Sequence, residues 1–307
     1  HAMWRGNGWG WWLLGLILCG GGRDAAEPLF QRKKNVVYAD VHGVGLLVDV
    51  FIPTVRSNGR GIVDVVSGAW HSDPGKLRDH ERAQIFEIFC RQGYTVFALR
   101  PGSVPKFTAL EMAEHIRAGI RWVKGQHREF SIAAGRLGLM GASAGGHLAS
   151  LVAVTSGPVG GKTDASVAAV GVFFPPTDFI DYGTVKLDPA KPGPLNETLR
   201  RLAFAPGEIA GFTAAQIKQR VHSISPARLV TAQAPPFLLI HGGLDLLVPL
   251  QQSRLMAAAL ERNQVPAKLI VKPGGGHPWP TIAEEVALMA QWFDRQLLAS
   301  RERSDDP

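Results

Sequence analysis

Short apolar runs alternate with segments of helical periodicity along most of this chain. The runs fall at 61–66, 94–99, 137–140, 167–174, 236–241 and 268–271, most of them near-continuous aliphatic stretches. Helical patterns occupy 76–92, 109–126, 143–155, 249–263 and 281–299. Strands that are apolar on both sides belong in a parallel sheet with helices packed on both faces. Upstream, "NVVYADVHGVGLLVDVFIP" sets Val48, Val50 and Ile52 at every second position beyond a His42-Gly43 turn. That is the pattern of an antiparallel hairpin. The predicted fold class is therefore α/β, with a mostly parallel central sheet and an antiparallel N-terminal hairpin at one edge. One region breaks the alternation. Residues 175–226 are rich in Pro and Gly and carry helical pieces at 196–204 and 213–221, which reads as a small lid-like insertion that shapes a binding site.

Composition adds bounds. A chain of 307 residues with 46% apolar and 19% charged residues has enough apolar material for one large core, and no solenoid repeat is visible. The net charge of +7 raises the question of anionic partners. The basic residues are scattered, however. The densest run is Arg32-Lys33-Lys34, and no nucleic-acid motif accompanies it, so nucleic acid is not expected as a partner.

The N-terminus divides into His1-Ala2, read as an expression remnant, and residues 3–26, read as a signal peptide: Arg5, an apolar stretch from Trp11 to Leu18, then small residues. The apolar stretch is too short to span a bilayer. The expectation is an exported protein, secreted or periplasmic, without stable membrane insertion after the signal is removed. Lipid attachment at Cys19 is the less favoured alternative, because Leu18 precedes it. The mature domain is then 27–307, with Cys90 as its sole cysteine and no internal disulfide. Cys90 lies in an amphipathic helical segment and is expected to be a buried apolar residue.

The chemistry centres on "LGLMGASAGGHLASL", where Ser143 stands between Gly141 and Gly145 at the junction of an apolar run and a helical pattern. Gly-x-Ser-x-Gly alone is a weak signal, and close packing of a strand on a helix explains the glycines equally well. The strand–turn–helix context strengthens the chemical reading, since it puts the serine at the carboxyl end of the sheet, where open α/β folds bind ligands. A serine hydroxyl needs a base, and the base needs an orienting acid. "PPFLLIHGGLDLLVPL" supplies Asp245 after a strand and a Gly242-Gly243 turn. "AKLIVKPGGGHPWP" supplies His277 after a strand and three glycines. Taken alone, Asp245 reads equally well as a helix cap and His277 as an ordinary loop histidine. His147 and His241 compete for the role of base, although neither follows a glycine loop.

In "GASAGGHLA", "SISPARL…APPFLLIHGGLDLLVPLQQS" and "GGGHPW" the chain resembles the α/β-hydrolase superfamily, from about Val36 to Leu298. Within it, the likeness is to the small carbohydrate esterases and carboxylesterases of the feruloyl and acetylxylan type, related to the prolyl-oligopeptidase catalytic domain and to kynurenine formamidases. The resemblance implies Ser143 as nucleophile, Asp245 as orienting acid and His277 as general base. It also implies an oxyanion hole from the backbone of Ala144 and of Gly68 or Ala69. The usual His-Gly-Gly-x-Trp loop reads "VVSGAW" here, with Val66 and Ser67 in place of its His and first Gly. Arg100 falls where the family ends a strand differently, and is expected either to meet an acidic substrate group or to pair with a carboxylate. Asp178 is kept as a structural or substrate-side acid. Trp70, Phe107 and Trp279 are candidate pocket residues.

The implied activity is that of a secreted serine carboxylic-ester hydrolase acting through a Ser-Asp-His triad and an acyl-enzyme, needing no metal or organic cofactor. Its expected substrate is a small-molecule or polysaccharide-linked ester, carbohydrate-linked or aryl. The alternatives are a small-molecule amidase of the formamidase type and a non-catalytic hydrolase-like scaffold that binds a ligand. Oligomeric state is not legible in the sequence.

Overall fold

The structure is a computed structural model that describes residues 27–157 and 164–304. The signal-peptide reading, Cys19 and the remnant at residues 1–2 lie outside the described residues. The chain opens with β1 (Phe30–Val41) and β2 (Val44–Pro53), joined where His42 and Gly43 both take positive φ (51° and 72°). Two left-handed residues are what a tight hairpin needs, and the pair occurs where the alternation predicts it.

β3 (Gly61–Val65) then leads into α1 (Pro74–Arg82) and α2 (Ile85–Arg91), followed by β4 (Thr95–Arg100), α3 (Ala109–Gly125) and β5 (Leu137–Ala142). The sequence predicts one helix over 76–92. The protein makes two, because Gln84 adopts φ 59°, which no α-helix can contain. The start of α1 is fixed by Asp73, whose carboxylate accepts the Gly75 amide at 2.7 Å, and by Pro74 in the first turn. α3 begins with a reciprocal cap between Thr108 and Glu111. Cys90 is buried in α2 as expected, and burial pushes its thiol pKa up to about 12.

After β5 come α4 (Ala144–Thr155), β6 (Ala169–Phe173), α5 (Pro194–Ala203), α6 (Ala214–Ser223), β7 (Phe237–Gly242), α7 (Gln251–Arg262), β8 (Ala267–Lys272) and α8 (Ile282–Ser304). The eight strands form one sheet in the order β1-β2-β4-β3-β5-β6-β7-β8. β1–β2 and β2–β4 pair antiparallel, and every other neighbour is parallel. This is the predicted architecture. The six central strands from β2 to β7 are largely buried, whereas β8 closes the sheet as an edge strand half exposed along its length. Among the described residues no helix is long and apolar enough to cross a membrane.

Chain order reverses direction around β3 and β5: α1 and α2 carry the chain to β4 on one side, and α4 carries it to β6 on the other. The crevice beyond the carboxyl ends of β3 and β5 is therefore the place where this architecture leaves room for a ligand. Two glycines set its geometry. A Cβ on Gly145 would run into the carbonyl oxygen of Val65, and one on Gly141 would meet the backbone of Gly145 at 2.5 Å. Backbone atoms cannot swing aside as side-chain tips do. Gly145→Ala is expected to cost about 3 kcal/mol or more, lowering the melting temperature by roughly 6 °C or more for a domain of this size. Gly125→Ala, at an exposed helix end with no heavy atom in reach of the new Cβ, should instead gain about 0.5–1 kcal/mol. Thermal unfolding followed by circular dichroism checks both signs.

Candidate active site

Ser143 sits between β5 and α4 with φ 53° and ψ −122°, a conformation that costs a non-glycine residue of order 1–3 kcal/mol. The turn is held by the Ser143 amide donating to the Phe173 carbonyl at 2.9 Å and by the Gly145 amide donating to the Ser67 carbonyl at 3.0 Å. Its hydroxyl caps nothing in the helix that follows. Instead, Ser143 Oγ lies 2.9 Å from His277 Nε2, and His277 Nδ1 lies 2.7 Å from Asp245 Oδ2. The three candidate residues thus come together from loops after β5, β7 and β8.

The acid and base loops are bound to each other. Gly243 donates to the Lys272 carbonyl at 2.9 Å, and Leu244 to the Gly275 carbonyl at 2.8 Å. A side chain on Gly242 would collide with the Gly275 carbonyl, which explains the glycine at 242. Asp245 accepts from the Leu247 and Val248 amides, each at 2.9 Å, leaving its other oxygen for His277. Burial pushes the Asp245 pKa up, but hydrogen bonds from His241, His277 and the Val248 amide outweigh it and hold the carboxyl well below the usual carboxylate range. The group is therefore ionised when it faces the imidazole. Three leucines of this loop, Leu244, Leu246 and Leu247, are exposed beside it.

The two competing histidines are occupied elsewhere. His241 is buried, with Nδ1 2.7 Å from Ser253 Oγ and Nε2 shared between the Val248 carbonyl at 2.9 Å and Asp245 Oδ2 at 3.4 Å. His147 is buried under Trp70, whose indole Nε1 donates to His147 Nδ1 at 3.0 Å, while His147 Nε2 donates to the Ile224 carbonyl at 2.8 Å. Burial drives the His147 pKa down to about 4, against the opposing pull of the Ile224 carbonyl. It is a neutral bridge between α4 and the end of the 175–226 insertion.

The divergent "VVSGAW" loop is fixed by backbone bonds rather than by the missing histidine. Gly68 and His71 exchange both amide–carbonyl bonds at 2.9 Å around Ala69 (φ 48°) and Trp70 (φ 59°), the left-handed pair of a tight turn. Val104 donates to the Trp70 carbonyl at 3.1 Å, and Ser72 donates to the Gly102 carbonyl at 3.3 Å. The Gly68 amide is therefore spent on His71, which removes it as an oxyanion donor. The Ala69 amide makes no such bond. Ala144 opens α4, where an amide has no intrahelical acceptor. Among the described residues the Ala69 and Ala144 amides are thus left without a backbone partner.

The cleft holding Ser143 and His277 has a volume of about 580 Å³. Trp279 lines it together with Phe173, Phe174, Ile282 and Val286. The Phe174 ring centroid is 4.2 Å from that of His277. Trp279 is fixed by its indole N–H donating to Glu285 at 2.7 Å. Trp70 and Phe107 do not line this cleft. Trp70 turns under the loop to reach His147, and Phe107 is buried over side-chain-free Gly102, edge-on to His115 at 4.7 Å. The insertion contributes none of the lining residues either, so its shaping role is not met in this cleft. Arg100 pairs with the buried Asp49 carboxylate at 2.8 Å and with the Asn35 side chain at 2.6 Å. Asp178 caps the Ile180 amide at 2.9 Å and pairs with Arg228 at 2.8 Å. Both are structural. Sequence reasoning missed Phe174 and also Lys76 and His80, which line the same cleft. The signal for His80 is its partner, a lone acid at position 64 in the otherwise apolar run 61–66. Among the described residues no group of three or more His, Cys, Asp or Glu side chains is placed to hold a metal ion.

Replacing Trp70 with Phe leaves the buried His147 Nδ1 without its donor. Urea unfolding should show a loss of about 1–3 kcal/mol for this variant. In the parent protein, nitrogen NMR at pH 5.5 should find His147 neutral with its proton on Nε2.

Residues 48–260 match the BD-FAE family, a span that takes in Ser143 and Asp245 and ends before His277. The chain is 25% identical over 263 residues to Esterase LipC of Mycobacterium tuberculosis, covering 81% of this chain and 60% of that protein. It is 24% identical over 256 residues to the probable carboxylic ester hydrolase LipM of the same organism, covering 80% and 56%. The chain thus spans little more than half the length of these curated relatives. Among solved structures, a truncated carbohydrate esterase from gut microbiota superposes with a TM-score of 0.75 at 22% identity, over 89% of this chain and 99% of that one. Thermogutta terrifontis esterase Est2 superposes with a TM-score of 0.64 at 22% identity, over 87% and 91%. These likenesses show the α/β-hydrolase fold, and the match over 48–260, more than half of the sequence, shows that the chain belongs to the BD-FAE family.

Proposed function

We propose that the protein is a serine hydrolase of carboxylic esters. The observation that carries this reading is the unbroken hydrogen-bonded line from Asp245 through His277 to Ser143. His277 Nε2 takes the hydroxyl proton as Ser143 Oγ attacks the ester carbonyl. Ionised Asp245 holds the proton on Nδ1 and stabilises the imidazolium that forms. The tetrahedral oxyanion is received by the amides of Ala144 and Ala69, at the positive end of α4. Collapse of the intermediate expels the alcohol, which takes the proton from His277. Water then repeats the sequence on the acyl-serine and releases the acid.

The aromatic and aliphatic cleft wall supports aryl or carbohydrate-linked esters as substrates. The names of the curated relatives support ester hydrolysis alone, and the carbohydrate esterase among the similar structures supports the carbohydrate-linked class. An exported location is part of the same proposal and rests on the signal-like pattern of residues 3–26.

Hydrolysis of short-chain p-nitrophenyl esters and methyl ferulate tests the assignment. Ser143→Ala should abolish turnover without altering the melting temperature. Asp245→Asn should lower kcat by about 10⁴-fold, as expected when the base loses its correct tautomer. A Ser143→Ala variant that retains parental activity would overturn the assignment.

A further inference from the structure

The wall of the cleft formed by α1 carries charges that the triad does not use. Lys76 and His80 are four residues apart, hence on one face of the helix, and both border the cavity that holds Ser143. Lys76 is half-buried with its stem laid across Gly68, where an added Cβ would come to 2.7 Å from its Cδ. Its ammonium has neither an ion-pair nor a hydrogen-bond partner among the described residues. Arg82 and Asp79 also border the cavity and pair with each other at 2.9 Å, so their charges offset. His80 is 7% exposed and bonds through Nδ1 to Asp64 Oδ2 at 2.6 Å. Asp64 is wholly buried in β3, so the acid is enclosed behind the ring. The Nε2 edge of His80 has no partner among the described residues.

We propose that Lys76 and His80 form an anion subsite beside Ser143, which selects esters carrying an ionised carboxylate in addition to the bond that is cleaved. The inference rests on the ester-hydrolase reading above and deepens it. An ammonium without a counter-charge, next to an imidazole N–H without an acceptor, makes a two-point donor set for one carboxylate. Burial pushes the His80 pKa down, but the Asp64 charge and hydrogen bond more than offset this and raise it, which favours the charged ring. The Asp64–His80 pair is itself a costly arrangement. Apolar residues of similar volume would hold this strand and helix together as well or better. The donor that the pair presents to the cleft gives this arrangement a use beside Ser143.

The test compares anionic and neutral substrates matched in length. On the acyl side, mono-p-nitrophenyl glutarate is set against p-nitrophenyl valerate. On the alcohol side, 4-acetoxybenzoate is set against phenyl acetate. In at least one pair the anionic ester, corrected for its intrinsic reactivity, should be preferred in kcat/KM by roughly 10-fold or more, the worth of one charge-assisted hydrogen bond. The pair that shows the preference tells which side of the ester enters the cleft. Lys76→Met, which keeps the stem over Gly68, should abolish most of the preference, while the remote Lys34→Met should leave it intact. No preference in either pair, or one that survives Lys76→Met, overturns the proposal. If no ester of any kind is turned over, the hydrolase reading fails separately. Calorimetric titration of Ser143→Ala protein with monomethyl glutarate and methyl valerate then decides the subsite on its own: equal binding of the two ligands refutes it, and tighter, Lys76-dependent binding of the anion upholds it.

Discussion

The site depends on backbone packed directly against backbone at two junctions. At the first, Gly145 lets the start of α4 press on the carbonyl end of β3, and Gly141 lets strand and helix share one tight turn. Ser143 is driven into its left-handed conformation by that closeness, since a looser turn would let the serine relax toward ordinary φ and swing its hydroxyl away. At the second, Gly242 touches Gly275, locking the loop that carries Asp245 onto the loop that carries His277. The acid and the base behave as one unit docked against the serine. The positive φ of Ser143 is strain paid for by the packing of strands buried on both faces.

These junctions also explain what the sequence could and could not reveal. Gly141 and Gly145 beside Ser143, and Gly242 ahead of Asp245, mark the site in the primary structure because a Cβ at each would strike backbone. The parallel strands are visible because burial on both faces demands continuous apolar runs. Other features are set by contacts distant in sequence. Gln84 breaks the 76–92 helix through its own backbone conformation, with no proline or glycine to announce it. Trp70 and Phe107 look like pocket aromatics, yet their partners, His147 and Gly102, are fixed only when the loops fold. The Gly68 amide looks available in the sequence and is taken by the His71 carbonyl when the turn closes.

Two strand acids show contrasting solutions to buried charge. Asp49 on β2 is met by Arg32 and Arg100, each at 2.8 Å, and by the Asn35 amide at 3.1 Å, so its lone pairs are well used. Among the described residues, Asp64 on β3 has His80 alone, and its second oxygen is buried without a partner. The first is a closed structural knot that ties the hairpin to the sheet. The second leaves an imbalance on the wall of the cleft, next to the reactive centre.

The edge position of β8 has a consequence for how function is lost. Ser143 and Asp245 hang from strands buried on both sides, whereas His277 follows a strand with one neighbour and a half-exposed surface. Local fraying of an edge strand needs far less free energy than global unfolding. The loop that holds His277 therefore follows an edge strand, and opening of that strand would part His277 from Ser143 and Asp245. A population of molecules can be almost wholly folded by every global probe and still contain a fraction in which His277 is out of reach of Ser143.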